Sequence, residues 1–169
     1  MADKEYDYSS SQINMNEEWT SIFLDRGREL ISKKDLSGTG LETNPHVTVL
    51  YGIHDLDPSP KIVDIIETYP RFNITLGAVS LFKEDAFNVV KVDVESSDLY
   101  SLRGAFMNNC YFTDKHPEYI PHMTVGFVKP ESCNHLDGSL AFKGMSFVAE
   151  EVVYSCKDGV KRFLTLGLR

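Results

Sequence analysis

Two segments of the chain carry residues suited to acid–base chemistry: Pro45 to Gly52, PHVTVLYG, and Pro121 to Val128, PHMTVGFV. In each, a proline precedes a histidine, a threonine follows two positions on, a valine comes next, and an aromatic residue (Tyr51, Phe127) stands five positions after the histidine. Histidine titrates near neutrality, so one neutral ring can take a proton while a second, charged ring gives one. Two hydroxyls between them suit the non-bridging oxygens of a phosphate. A ribose phosphodiester brings its own nucleophile, the neighbouring 2′-hydroxyl. A base removes that proton, an acid protonates the leaving 5′-oxygen, and threonine and imidazolium steady the negative charge. A lone His-x-Thr is ordinary in a threonine-rich strand, but the shared proline, valine and aromatic make the pair a motif. The chemistry calls for no metal. Cys133 and His135 stand close together, yet no second ligand pair follows at zinc-site spacing, so neither metal nor cofactor is expected.

These groups must be held on strands. Residues i and i+2 of a strand share a face, which puts His46 beside Thr48 and His122 beside Thr124. Val47, Val49, Met123 and Val125 then point the other way, onto covering helices. By the same alternation Tyr51 and Phe127 fall with the backing valines and are expected in the core. Upstream, YDYSSSQIN reads as a first strand. Asn16 reads as the cap of a helix with Glu17 and Glu18 in its first turn and an inner stripe of Trp19, Ile22, Phe23, Arg26 and Leu30. SKKDLSGTGLETN reads as a polar loop.

Ser59 and Pro60 open a second helix, closed by Pro70. Phe72 to Phe82 and Asn88 to Glu95 predict a hairpin. Ser97 and Asp98 start a third helix with Leu99, Leu102, Ala105 and Phe106 inside, and YFTDKHPEYIP loops into the second motif. Strands from Ser146 to Ser155 and Val160 to Leu168 flank the turn at Asp158-Gly159. The fold class is α+β: one domain over residues 1–169, with helices packed against antiparallel or mixed sheet.

At 169 residues, 42% hydrophobic and 25% charged, the chain suits one soluble globular domain. No apolar run approaches the ~20 residues of a membrane span, and MADKEYDYSS is too polar for a signal peptide, so the expected location is cytoplasmic, with no membrane partner. Three widely spaced cysteines argue for free thiols. A net charge of −8 argues against a long nucleic-acid partner and leaves room for a small nucleotide in a local pocket. The oligomeric state is not legible.

Among softer candidates, Tyr8 is placed to stack on a base, as are Tyr6 and Phe82. Glu150 or Glu151 is a candidate acceptor for a base amino group, the plain alternative being a solvated strand edge. His54, His116, Lys115 and Lys129 read as surface residues.

The paired motifs resemble the His-x-Thr/Ser motifs of the 2H phosphoesterase superfamily, the LigT-like fold. NPHVTVLYGIHD and YIPHMTVGFVKP, with YDYSSSQIN upstream, are most similar within it to phage anti-CBASS proteins, which cleave the cyclic di- and trinucleotide alarms of bacterial defence. The resemblance implies a single two-lobed domain with antiparallel or mixed sheets lining a central cleft and helices outside, His46, Thr48, His122 and Thr124 as the catalytic set, and a small cyclic oligonucleotide as substrate. Alternatives are another 2H activity, on 2′,5′-oligoadenylate or RNA 2′,3′-cyclic phosphate ends, or a non-catalytic nucleotide sponge.

Overall fold

Runs of valine, isoleucine and threonine build nine strands among the described residues: β1 (Ser9–Asn14), β2 (Leu36–Leu41), β3 (His46–Ile53), β4 (Phe72–Lys83), β5 (Asn88–Glu95), β6 (His122–Val128), β7 (Ser146–Ala149), β8 (Glu151–Ser155) and β9 (Lys161–Thr165). Three helices accompany them: α1 (Glu17–Leu30), α2 (Pro60–Thr68) and α3 (Ser97–Met107). The computed structural model describes residues 5–116 and 118–169. Met1 to Lys4, the start of the segment too polar for a leader, lie outside the described residues, as does Pro117 in the loop before the second motif.

The helices begin where their caps predict. The Asn16 side chain accepts the Trp19 N–H, and Ser59 accepts the Ile62 N–H with Pro60 opening α2. Leu99, Leu102 and Phe106 are the buried face of α3. In α1 the buried stripe is Phe23 and Gly27, while Ile22 is left exposed and Arg26 donates to the Ala141 carbonyl at 2.6 Å. The stripe is rotated from the expected one because Gly27 lets α1 close onto β6. A Cβ there would meet Val125 Cγ1 at 3.1 Å.

All strand pairs are antiparallel, in the order β7-β4-β5-β6-β3-β1-β8-β9. The motif strands β3 and β6 are neighbours bridged at a single pair, Val47 and Met123. Where they diverge, β2 takes up the freed half of β6, pairing Leu36 with Val128 and Leu41 with Gly126. That pairing makes a strand of a segment expected to be loop. At the other end β7 pairs with β4 and β8 with β1, with only Glu150 between them, so the expected Ser146 to Ser155 strand is broken there. A chain that steps between distant strands across one residue requires the sheet to curl. The result is a half-barrel with helices packed against it. Among the described residues no helix is long and apolar enough to cross a membrane.

Candidate active site

The antiparallel register about Val47 and Met123 sets Thr48 across from His122 and His46 across from Thr124. Val47, Val49, Met123 and Val125 are buried behind, while the two histidines and two threonines are half-buried on the opposite face. All four candidate side chains therefore share one face at the junction of β3 and β6.

Each imidazole is tied in the same way. His46 Nδ1 lies 2.7 Å from the Asn44 carbonyl, and His122 Nδ1 lies 2.7 Å from the Ile120 carbonyl. A carbonyl only accepts, so Nδ1 carries the proton in both rings and Nε2 is left to meet a ligand. The bond spans an intervening proline in both copies, Pro45 and Pro121, which gives that shared residue a structural role.

The flanking strands differ. On β1, Gln12 pairs with Thr48 and Asn14 with His46, and Gln12 Nε2 donates to Asn14 Oδ1 at 2.8 Å. On β5, Lys91 pairs with Thr124 and Asp93 with His122. Lys91 is buried, and its ammonium donates to Asp93 Oδ1 at 2.8 Å and Ser80 Oγ at 2.5 Å. It also sits 4.5 Å from the centre of the Phe82 ring, which meets His122 edge-on at 5.0 Å.

Burial, with Lys91 and His46 nearby, pushes the His122 pKa below its ordinary value, against the opposing pull of the Ile120 carbonyl and Asp93. Burial works against ionisation of Asp93, but hydrogen bonds from Lys91 and Ser80 outweigh it and hold the carboxyl below its usual range.

A cleft of about 530 Å³ opens beside Thr48 and His122, walled by Tyr51, Phe82, Arg103 and Tyr119. Arg103 of α3 organises that wall. It donates to Asp114 Oδ2 at 2.9 Å and to the Val49 carbonyl at 3.0 Å, and its guanidinium lies 4.3 Å from the Tyr119 ring centre. The Tyr119 hydroxyl donates to the Thr48 carbonyl at 2.6 Å. Burial raises the Tyr119 phenol far above its ordinary value, so it remains a donor.

Residues 31–136, which contain both motifs, match the 2′-5′ RNA ligase superfamily. The chain belongs to that superfamily, the LigT-like two-histidine phosphoesterases. The fold agrees. The protein TT0787 of Thermus thermophilus superposes with a TM-score of 0.67 at 11% identity, over 95% of this chain and 98% of that one. E. coli LigT superposes at 0.65 with 16% identity over 96% of both chains, and Kluyveromyces marxianus Usb1 at 0.64 with 10% identity over 95% of this chain and 98% of its own. LigT has been solved with phosphate and with 3′-AMP, and Usb1 with uridine monophosphate. No curated protein matches the chain in sequence.

In this 2H phosphoesterase the two motif aromatics are not in the core. Leu50 faces Ser11 and Thr48 faces Gln12, so one residue of β3 is extra and the strand bulges at Val49. The same shift occurs in β6, where Gly126 faces Val90 and Thr124 faces Lys91. Each bulge turns the following side chains over, so Tyr51 is 51% exposed and lines the cleft. Phe127 is half-buried against Phe87 at 5.6 Å. Tyr8 stacks on His54 at 5.6 Å and meets Tyr51 edge-on at 6.2 Å, placing it next to the cleft wall. Glu150 is exposed at the β7–β8 corner, 3.9 Å from Arg71, and does not line the cleft.

His116, read as a surface residue, lines the cleft with Glu118. Among the described residues no three or more His, Cys, Asp or Glu gather as a metal site, and the three cysteines are free thiols. Sequence reasoning passed over Lys91, Asp93, Arg103 and Tyr119. A signal for the first two was present: a charged pair at strand spacing inside NVVKVDVE, an otherwise valine-rich run.

Proposed function

We propose that the protein is a metal-independent phosphodiesterase that opens the 3′-5′ bonds of cyclic di- and trinucleotides, and that for a phage it thereby silences CBASS signalling. The observation that carries the reading is the matched pair of imidazoles. Adjacent strands present two Nε2 atoms, each fixed by an Nδ1–H bond to a carbonyl two residues earlier. Support also comes from relatives of the same fold that bind mononucleotides, LigT with 3′-AMP and Usb1 with uridine monophosphate. A net charge of −8 further favours a small ligand over a long polyanion.

The reaction follows from those positions. Neutral His122 takes the 2′-hydroxyl proton on Nε2 as the 2′-oxygen attacks phosphorus. The bond from phosphorus to the 5′-oxygen breaks, and charged His46 gives that oxygen its Nε2 proton. Thr48 and Thr124 donate to the non-bridging oxygens, where negative charge grows. The ring opens to a linear species ending in a 2′,3′-cyclic phosphate, and no water is consumed in this step. Tyr51 and the Arg103–Tyr119 wall give the flanking nucleoside an aromatic surface.

The test is product mass after incubation with ribo and 2′-deoxy cyclic dinucleotides in chelator and heavy-oxygen water. Ribo substrates should give the cyclic phosphate without solvent oxygen, and fully 2′-deoxy ones should bind uncut. Rapid cleavage of a 2′-deoxy substrate with solvent oxygen in the first product would overturn the mechanism. Preferential turnover of 2′,5′-oligoadenylate or of RNA 2′,3′-cyclic phosphate ends would move the activity to those substrates. Tight binding with no turnover of any would make the protein a sponge.

A further inference from the structure

The two motifs are nearly identical in sequence, yet their neighbours are not. His46 and Thr48 are flanked across β1 by the neutral amides Asn14 and Gln12, whereas His122 and Thr124 are flanked across β5 by Asp93 and Lys91. A lysine almost fully withdrawn from water is costly unless paired and hydrogen-bonded. Lys91 is 4% exposed and is held by Asp93, Ser80 and the face of Phe82. Ser80 also donates to Asp93 Oδ1 at 2.7 Å, so the three polar groups close on one another.

We infer that the Lys91–Asp93 pair makes the second motif chemically distinct from the first, tuning His122 for the role of base and adding positive potential beside Thr124. Both residues are positioning residues that act through His122 and Thr124. The bulge at Val125 keeps Lys91 in register with Thr124, the threonine that donates to a phosphate oxygen in the proposed reaction. A fixed cation there favours the negative charge that develops in the transition state. It also disfavours a proton on His122 while the ring awaits substrate. Asp93, directly across from His122, opposes that second effect and favours the imidazolium formed once the base has acted. Other charged groups around the site are His46 on β3 and Arg103, Asp114, His116 and Glu118 on the cleft wall. Of these only His46 lies in cross-strand register with the second motif, and it belongs to the catalytic set itself.

The part of this inference that concerns turnover rests on the proposed phosphodiesterase activity; the part that concerns His122 does not. The experiment is an NMR titration of the His122 ring in the substrate-free protein, alongside kcat/KM against pH with a cyclic dinucleotide. Lys91→Met removes the cation and leaves Asp93 bare, and should move the His122 midpoint upward. Asp93→Asn should move it downward, and the double variant should fall between the two. Lys91→Met should also lower kcat by about tenfold or more, because a fixed charge near the phosphate is lost.

Shifts of opposite sign are the expected result, since damage to packing would not follow the sign of the charge removed. Shifts of the same sign, or none, would overturn the inference. Asp93 has a side chain 45% exposed, and its change to asparagine is isosteric, so that variant decides the matter even if Lys91→Met does not fold. Opposite shifts with no activity on any cyclic dinucleotide would support the pair's role while rejecting the proposed substrate.

Discussion

An imidazole can act as a base only through the nitrogen that lacks a proton. The carbonyls of Asn44 and Ile120 therefore matter as much as the rings they hold, since each fixes the tautomer that leaves Nε2 open. Replacing His46 or His122 by alanine should lower turnover on the order of 10²–10⁴, the worth of a general acid or base, while substrate binding largely persists. Thr48→Ala and Thr124→Ala remove one hydroxyl each and should cost less. Single-turnover rates with saturating substrate would check both statements, and a histidine variant near wild-type rate would remove that residue from the mechanism.

The pH dependence has a definite sign. Burial holds His122 below its ordinary value, and the base must be neutral to work. Activity should therefore rise with pH through a midpoint below that of a free histidine, then fall as the acid loses its proton. An ascending limb above the free-histidine range would contradict that environment. At this scale much was legible in the sequence. His-x-Thr at strand spacing is a local pattern, and the period of two alone puts the pair on one face. Lys91 and Asp93 stand out in the sequence only as a charged pair in a valine-rich run, because their placement across from Thr124 and His122 is a matter of cross-strand register, which no local pattern contains.

Elements set which side chains face the cleft, and a single extra residue changes that. Strict alternation sends Tyr51 into the core, but the bulge at Val49 returns it to the His–Thr face. Bulges leave almost no trace in composition, which is why the strand was legible and its far end was not. The same blindness hid β2, whose glycine-bearing segment is a strand only because β6 offers it an edge. If Tyr51 forms a nucleoside surface, Tyr51→Ala should raise KM by about 5- to 150-fold, the equivalent of roughly 1–3 kcal/mol of lost stacking, with a smaller change in kcat.

A second element-scale prediction concerns Gly52. Its φ is +80°, and a Cβ would stand 1.9 Å from the Thr113 carbonyl oxygen, where the loop before the second motif docks on β3. Thr113 N–H donates to the Gly52 carbonyl at 2.8 Å, so the contact is backbone on backbone and has no side chain to yield. Gly52→Ala should push the loop that carries Asp114 and Tyr119 off the strand. The expected outcome is faster hydrogen exchange across residues 111–120 and a raised KM, and unchanged exchange there would show that the docking is not required.

At the scale of the molecule, the cleft exists because β3 and β6 touch at one bridge and then part, leaving a wedge that something must brace. Arg103 braces it, joining α3 to the β3 backbone at Val49, to the loop at Asp114, and through the Tyr119 ring to Thr48. Both members of the Arg103–Asp114 pair are little exposed, at 12% and 11% of the side chain. Removing one partner of such a pair leaves the other charge poorly solvated, so Asp114→Asn should cost about 3 kcal/mol of stability near neutral pH.

Burial opposes ionisation of Asp114, yet its bonds to Arg103 and to the His116 N–H hold its carboxyl below the ordinary value of 3.8. A depressed carboxylate contributes stability that is complete above that ordinary value and is lost as pH falls through the folded one. Urea unfolding of the native protein and of Asp114→Asn should show a wide gap at neutral pH. The gap should narrow in the acid range, as the native carboxyl takes up a proton and comes to resemble the amide. A gap that stays constant into strong acid would mean that the wedge is held by packing around Tyr119 rather than by the charge on Asp114.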